Sequence, residues 1–253
     1  MHSEVKSLAS AKRLQRNPLG EYRSLNVGIL FSGGKDSAYS AYLARQNDAV
    51  SCLITVHPSR EDSYMFHYPN LRWTALQAKS MGLPQVVVQT EGVKEVELGD
   101  LSRALSIAKH EYGIEGVYTG ALASVYQKSR VERMCGELGL RAFSPLWRLD
   151  PRTHLENLVK HGFDAIITGV ASLGLDETWL GRRLDKKTVD DLLMLQSRYG
   201  LNATLEGGEG ETFVLDCPIF RQRVEIVSSK RCWNGVSGRL EIEEARLVPK
   251  PKI

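Results

Sequence analysis

Between residues 32 and 37 the chain reads Ser32-Gly33-Gly34-Lys35-Asp36-Ser37, directly after the apolar run NVGILF and before SAYSAYLARQN, whose Ala, Tyr and Leu recur at helical spacing. A strand running through such a loop into a helix presents unpaired backbone N–H groups and a positive dipole end. Two glycines let that backbone approach a ligand closely. This is the make-up of a phosphate cradle. Lys35 adds a fixed charge, the Ser32 and Ser37 hydroxyls can donate to phosphate oxygens, and Asp36 can hold Mg2+ or favour the helix start. Two better-known phosphate loops do not fit. A Walker loop needs glycine where Ile29 stands and Ser or Thr where Asp36 stands, and no GxGxxG can be written across residues 28–37. A plain Gly-rich turn would leave Lys35 and Asp36 at an uncapped helix start unexplained.

A second stretch crowds Glu206, Glu209 and Glu211 together with Gly207 and Gly208, too densely for one helix face. Taken alone it reads more readily as a solvated acidic turn than as a site. Arg130 and Glu132 suit the polar face of an amphipathic helix as well as they suit a site. The basic cluster Arg182, Arg183, Lys186 and Lys187 reads as a solvated loop. Cys52, Cys135, Cys217 and Cys232 lie far apart with no metal-ligand spacing, so neither a disulfide framework nor a zinc site is expected.

The elements that must position these residues alternate. VSCLITVH, PQVVVQT, GVYTG and RAFSPLW read as strands following NVGILF. LRWTALQAKSMG (closed by Gly82), LGDLSRALSIAKHEYG and SVYQKSRVERMCGELG read as the helices between them. Such alternation predicts an α/β fold: a parallel five-stranded sheet with helices on both faces. After Trp147 the character changes to helix, strand, helix and a strand-rich end, which predicts a smaller α+β unit against the carboxyl edge of the sheet. The DP turn near 147–151 marks the boundary. The expected organisation is a basic extension (1–24), a sheet domain (25–147), an α+β domain (148–246) and a tail (247–253).

The 253 residues suffice for one large domain or two modest ones. No apolar run nears the roughly 20 residues that span a bilayer, and the N-terminus lacks the apolar core of a secretory signal, so a soluble cytoplasmic protein is expected. Residues 1–24 hold five basic side chains against two acidic ones, which is the whole net charge of +3. The neutral body argues against a direct nucleic-acid binder. Oligomeric state stays open, a homodimer included.

SGGKDS after a buried first strand resembles the PP-loop of the ATP pyrophosphatase superfamily, whose members bind ATP on a HUP-type, Rossmann-like sheet and split it into AMP and pyrophosphate. The motif does not choose among amidation, thiolation and lysidine-type chemistry. Downstream, MFHYPN (65–70), TGALASVYQKSRVERMC (119–135), SPLW (144–147), GLDETWLGR (174–182) and EGGEGETFVLDCP (206–218) follow in that order. Together they resemble the diphthine–ammonia ligase family, from about residue 25 to 220. The resemblance implies the final amidation of diphthine on elongation factor 2 with ATP and ammonium. It implies that Ser32 to Ser37 bind the ATP phosphates, and that Gly120, Tyr126, Gln127 and Arg130 continue the active site. Glu206, Glu209, Glu211 and Thr212, with Gly207 and Gly208 between, would line the acceptor side. One departure is Gly210, where the family carries an aromatic residue. The basic extension lies outside the resemblance.

On this reading Lys35, Arg130 and Mg2+ neutralise the departing pyrophosphate, and the acidic stretch is a flexible loop that captures ammonium or the trimethylammonium group. A carboxylate there whose pKa is raised could deprotonate ammonium. His57 either touches adenine or ribose or caps its strand; Trp179 is either a core anchor or a cation–π wall. Lys35 is expected to be exposed, with little packing to lose. Two rival classes remain on the same fold: a tRNA-modifying PP-loop enzyme, and a non-catalytic adenine-nucleotide sensor.

Overall fold

The computed structural model describes residues 23–58, 70–91 and 96–251; residues 1–22 of the basic extension, the MFHYP part of MFHYPN and the last two residues of the tail lie outside the described residues. Five strands, β1 (Asn26–Leu30), β2 (Ala49–Pro58), β3 (Gln85–Thr90), β4 (Gly116–Tyr118) and β5 (Arg141–Phe143), form a parallel sheet in the order β3-β2-β1-β4-β5. Alternate residues of each strand point to opposite faces, and here both faces are apolar. On one face Val27, Ile29 and Leu53 meet Ala38, Ala41 and Ala44 of α1 (Lys35–Arg45) and Ala78 and Met81 of α2 (Thr74–Met81). On the other, Cys52, Ile54, Val88 and Val117 meet Leu101, Leu105 and Ala108 of α3 (Val96–Tyr112) and Val131 and Met134 of α4 (Val125–Glu137). The small alanines of α1 bring that helix close to β1, which sets the loop between them.

The second unit begins with α5 (Pro151–Lys160). Asp150 caps it by accepting from Thr153 N at 2.9 Å, and Pro151 sits where its missing N–H costs nothing. Then come β6 (Asp164–Val170), α6 (Lys186–Tyr199), β7 (Gly210–Asp216), β8 (Arg223–Trp233) and β9 (Gly238–Val248), with the strands antiparallel in the order β7-β6-β9-β8. One continuous core joins this unit to the α1 face of the parallel sheet: Leu155, Ile167, Leu192 and Phe213 belong to the same cluster as Ile29 and Ala41. At ~1.5–3 kcal/mol per fully buried large aliphatic side chain, that shared core holds β7 firmly against α1.

The α/β class, the five parallel strands, the helices on both faces and the smaller second unit agree with the sequence reading. The acidic stretch differs from it. Residues 206–209 form a turn, and Glu211 and Thr212 already belong to β7, so this is a sheet edge rather than a flexible loop. β5 is shorter than RAFSPLW, because Pro145 has no N–H for a ladder and the chain turns there. Among the described residues no helix is long and apolar enough to cross a membrane.

Candidate active site

In an open parallel sheet, ligands sit beyond the carboxyl ends of the strands where the strand order reverses. Here that point lies between β1 and β4. The 31–34 loop leaves β1, the 119–124 loop leaves β4, and the start of β7 closes a third side, around a cavity of about 520 Å3.

Hydrogen bonds fix the 32–37 loop. Gly33 adopts φ 82°, in the left-handed region open to glycine, and a Cβ there would lie 2.5 Å from Gln77 Oε1. The Gly33 carbonyl accepts from Gln77 Nε2 at 3.0 Å and from Val214 N at 3.0 Å. Gln77, fully buried, also donates to Val214 O at 2.8 Å. Ser37 Oγ accepts from Ser32 N at 3.2 Å and donates to Gly34 O at 3.1 Å. Helix α1 starts at Gly34 without a side-chain cap, so its positive end faces the cavity. From the second unit, Thr212 Oγ1 accepts from Lys35 N at 3.1 Å. The acidic strand is thus bonded directly to the cradle. Gly120 completes the fit: a Cβ there would stand 2.8 Å from the backbone of Asp36 and Ser37.

Lys35 is buried, at 3% exposure, which corrects the expectation of an exposed lysine. Its position at the first turn of α1, under β7, leaves its charge a partner rather than water: Nζ lies 2.8 Å from Asp36 Oδ2. The other oxygen of Asp36 receives Nε2 of the fully buried His154, from α5, at 2.7 Å. Burial opposes ionisation of Asp36, but the Lys35 ammonium and the His154 bond outweigh it and hold the carboxyl below its ordinary value. Both oxygens of Asp36 are thus engaged, and among the described residues no group of three or more His, Cys, Asp or Glu side chains gathers as metal ligands.

The three glutamates part company. Glu206 Oε1 accepts from Leu122 N at 2.9 Å and Oε2 from Ala123 N at 2.6 Å, so this side chain clasps the 119–124 loop. Burial raises its pKa, the two N–H bonds oppose that, and the Asp36 charge adds to it. Leu205, just before it, is forced to φ 59°, a strained conformation for such a side chain. Glu209 turns away from the cavity, with Oε1 accepting from Asn202 N at 3.2 Å. Glu211 lines the cavity, and burial, only partly opposed by Arg239, pushes its carboxyl up to about 8.

Of the residues singled out from sequence, Ser32, Gly34, Lys35, Asp36, Ser37, Gly120, Tyr126, Gln127, Glu206, Gly207, Gly208, Glu211 and Thr212 line one cavity. Arg130 stands one turn behind, its guanidinium 3.3 Å from the centre of the Tyr126 ring. Neither His57, next to last in β2 and opposite Gln89, nor Glu209 is among the residues lining it. Trp179 is a core anchor: its ring is buried, with the Arg182 guanidinium 4.4 Å above it. Sequence reasoning missed Gln77, His154 and Gly169. A Cβ on Gly169 would come within 3.2 Å of the Glu211 side chain, so this glycine makes the room in which Glu211 sits. His154 carried only the weak signal of a histidine beside Leu155 and Leu158 on the apolar side of a helix.

Residues 25–142 match the family model of the diphthamide synthase N-terminal domain, and residues 150–248 that of its C-terminal domain. The chain belongs to the diphthamide synthase family. Its relatives include the diphthine–ammonia ligases of Mus musculus, 33% identical over 246 residues (88% of this chain, 91% of that protein), and Homo sapiens, 34% identical over 230 residues (81% and 84%). The Schizosaccharomyces pombe enzyme is 33% identical over 240 residues, 88% of this chain but 39% of that longer protein. As a family member the protein is a C–N bond-forming ligase, and its PP-loop fold implies the use of ATP.

Proposed function

We propose that this diphthamide synthase family enzyme activates the carboxylate of diphthine on elongation factor 2 with ATP and amidates it with free ammonium, yielding diphthamide, AMP and pyrophosphate. The supporting observation is the direct bonding of the acidic strand to the phosphate loop, Thr212 to Lys35, which gives a single cavity one end for a triphosphate and another for a cationic acceptor.

A carboxylate and an amine do not condense unaided near neutral pH, because the carboxylate would have to expel oxide. In the first step a carboxylate oxygen attacks the α-phosphorus and the bond to the β-phosphate oxygen breaks. The charge on the departing pyrophosphate is met by the positive end of α1 and by Lys35, with Arg130 behind Tyr126. In the second step ammonium gives a proton to Glu211, ammonia attacks the acyl carbon, AMP leaves with the bonding pair, and the surplus N–H proton passes to solvent to leave the neutral amide. Glu211 suits this task, since a carboxyl that titrates at about 8 accepts a proton from ammonium far more readily than an ordinary one. Glu206 and Gly169 set the loop and the space around it. Divalent cation, on this reading, comes with the triphosphate, whose charge it offsets. A translation factor as substrate puts the reaction in the cytoplasm.

The rival of a thiol-carrying tRNA-modifying enzyme fares poorly, because none of the four cysteines lines the cavity and Cys52, Cys135 and Cys217 are buried. The test is pyrophosphate release measured with diphthine-bearing elongation factor 2, ammonium, both and neither. Release that needs both is expected. Orthophosphate release, or dependence on tRNA, overturns the reading.

A further inference from the structure

His154 has no place in the reaction just described, yet among the described residues it makes a short side-chain contact to the 32–37 loop from outside it. Its ring is fully buried on α5, packed 5.6 Å from the Tyr39 ring, and its Nε2 lies 2.7 Å from Asp36 Oδ1. Asp36 carries no proton to give, so Nε2 is the donor. Nδ1 is buried with no hydrogen-bond partner, so the imidazole is spent on this one bond. A mere filler of that space would be apolar, since an unpartnered nitrogen in a core is costly.

The three groups form a chain, His154 to Asp36 to Lys35, with the lysine buried on Asp36. A triphosphate on the 32–37 loop must draw the Lys35 ammonium away from that carboxylate. Removing one partner of a buried ion pair leaves an uncompensated charge, which is strongly unfavourable. Asp36 escapes this because its other oxygen keeps the bond from His154. We propose that His154 is a positioning residue that keeps the Asp36 carboxylate satisfied while Lys35 transfers to the phosphates of ATP. This rests on the reading that the triphosphate occupies the 32–37 loop.

The readout is the ratio of ATP to AMP affinity by calorimetry on the full chain, because AMP lacks the phosphates that recruit Lys35. His154→Phe, which keeps the ring and its packing, lowers that ratio by roughly tenfold to a hundredfold, the worth of one hydrogen bond to a charged group. His154→Gln, whose amide N–H can reach Asp36, restores it to within about threefold of the parent. In an Asp36→Asn background there is no charge to keep, and adding His154→Phe leaves the ratio unchanged. Should His154→Phe not fold, His154→Met is read the same way. Equal weakening of ATP and AMP, or no change in the ratio, overturns the proposal in favour of a packing role. Lys35→Ala separates the two levels: if it leaves ATP affinity intact, the phosphate assignment itself fails. If it weakens ATP while the His154 variants do not, only the role of His154 fails.

Discussion

Replacing Glu211 with glutamine tests both the stability and the chemistry read from this site. The Glu211 carboxyl is pushed from 4.5 to about 8 because burial outweighs the opposing charge of Arg239. At ~1.4 kcal/mol per pH unit this corresponds to roughly 5 kcal/mol against ionisation. The sign follows from proton counting. Between pH 4.5 and 8 the folded protein holds a proton that the unfolded chain releases. Stability therefore falls as pH rises through that window and levels off above it. Glu211→Gln removes the dependence. At pH 4.5 parent and variant should melt within a degree or two of each other. At pH 9 the variant should melt about 10–20 °C higher, given 2–4 °C per kcal/mol for a chain of this size. Catalysis moves the opposite way: kcat/KM for ammonium should fall by about 10²–10⁴ and lose the rise that ends near pH 8, while ATP affinity stays within threefold. Varying ammonium at each fixed pH removes the titration of ammonia itself. Melting curves that run parallel from pH 4.5 to 9.5 would show that Glu211 is not the perturbed carboxyl. An unchanged pH–rate profile would deny it the role of base.

Three further substitutions probe the supports. Gly120→Ala places a Cβ 2.8 Å from the backbone of Asp36 and Ser37, which cannot yield as a side chain can; a loss of about 1–3 kcal/mol in stability and a more than tenfold loss of ATP affinity are expected by thermal melting and calorimetry. Gly169→Ala crowds Glu211 at 3.2 Å, and should lower amidation at least tenfold with ATP binding within threefold, as read by paired assays. Glu206→Gln sets an amide donor against one of two backbone N–H groups, so both melting temperature and ATP affinity should drop, at about 1–3 kcal/mol; loss of amidation alone would restore Glu206 to a purely acceptor-side role.

The parallel sheet and its helices were legible because each strand is a short apolar run and each helix keeps its period, ending at glycines such as Gly82 that take the left-handed conformation. The strand-to-helix loop at 32–37 was legible because Gly33, Gly34 and Lys35 follow an apolar run and precede a helical period. What was not legible depends on contacts distant in sequence. Lys35 was expected in water because nothing local tells that β7, some 177 residues later, covers it. The three glutamates looked equivalent as letters. Only the turn at 206–209 and the entry into β7 send Glu206 to backbone N–H groups, Glu209 to Asn202 and Glu211 to the cavity. Likewise Trp179 has a side chain that suits a ligand, and tertiary packing buries it in the core.

The placement of β7 would link the two proposed half-reactions physically. Its Val214 N–H holds the Gly33 carbonyl and its Thr212 hydroxyl holds the Lys35 N–H, while its Glu211 carboxyl faces the cavity one residue away. Within one strand, neighbouring side chains leave on opposite faces. Thr212 can therefore brace the phosphate loop while Glu211 points toward the acceptor, and neither role disturbs the other. Gln77 ties the same loop to the same strand from beneath, through Gly33 O and Val214 O. A shift of β7 by even a fraction of a hydrogen-bond length would thus move Glu211 and the 32–37 loop together, preserving their spacing. Two separately mobile domains would not conserve that distance. On the proposed route, an acyl-adenylate made at one end of the cavity must meet ammonia before water does, and a fixed spacing between the 32–37 loop and Glu211 would serve that requirement without a closing lid.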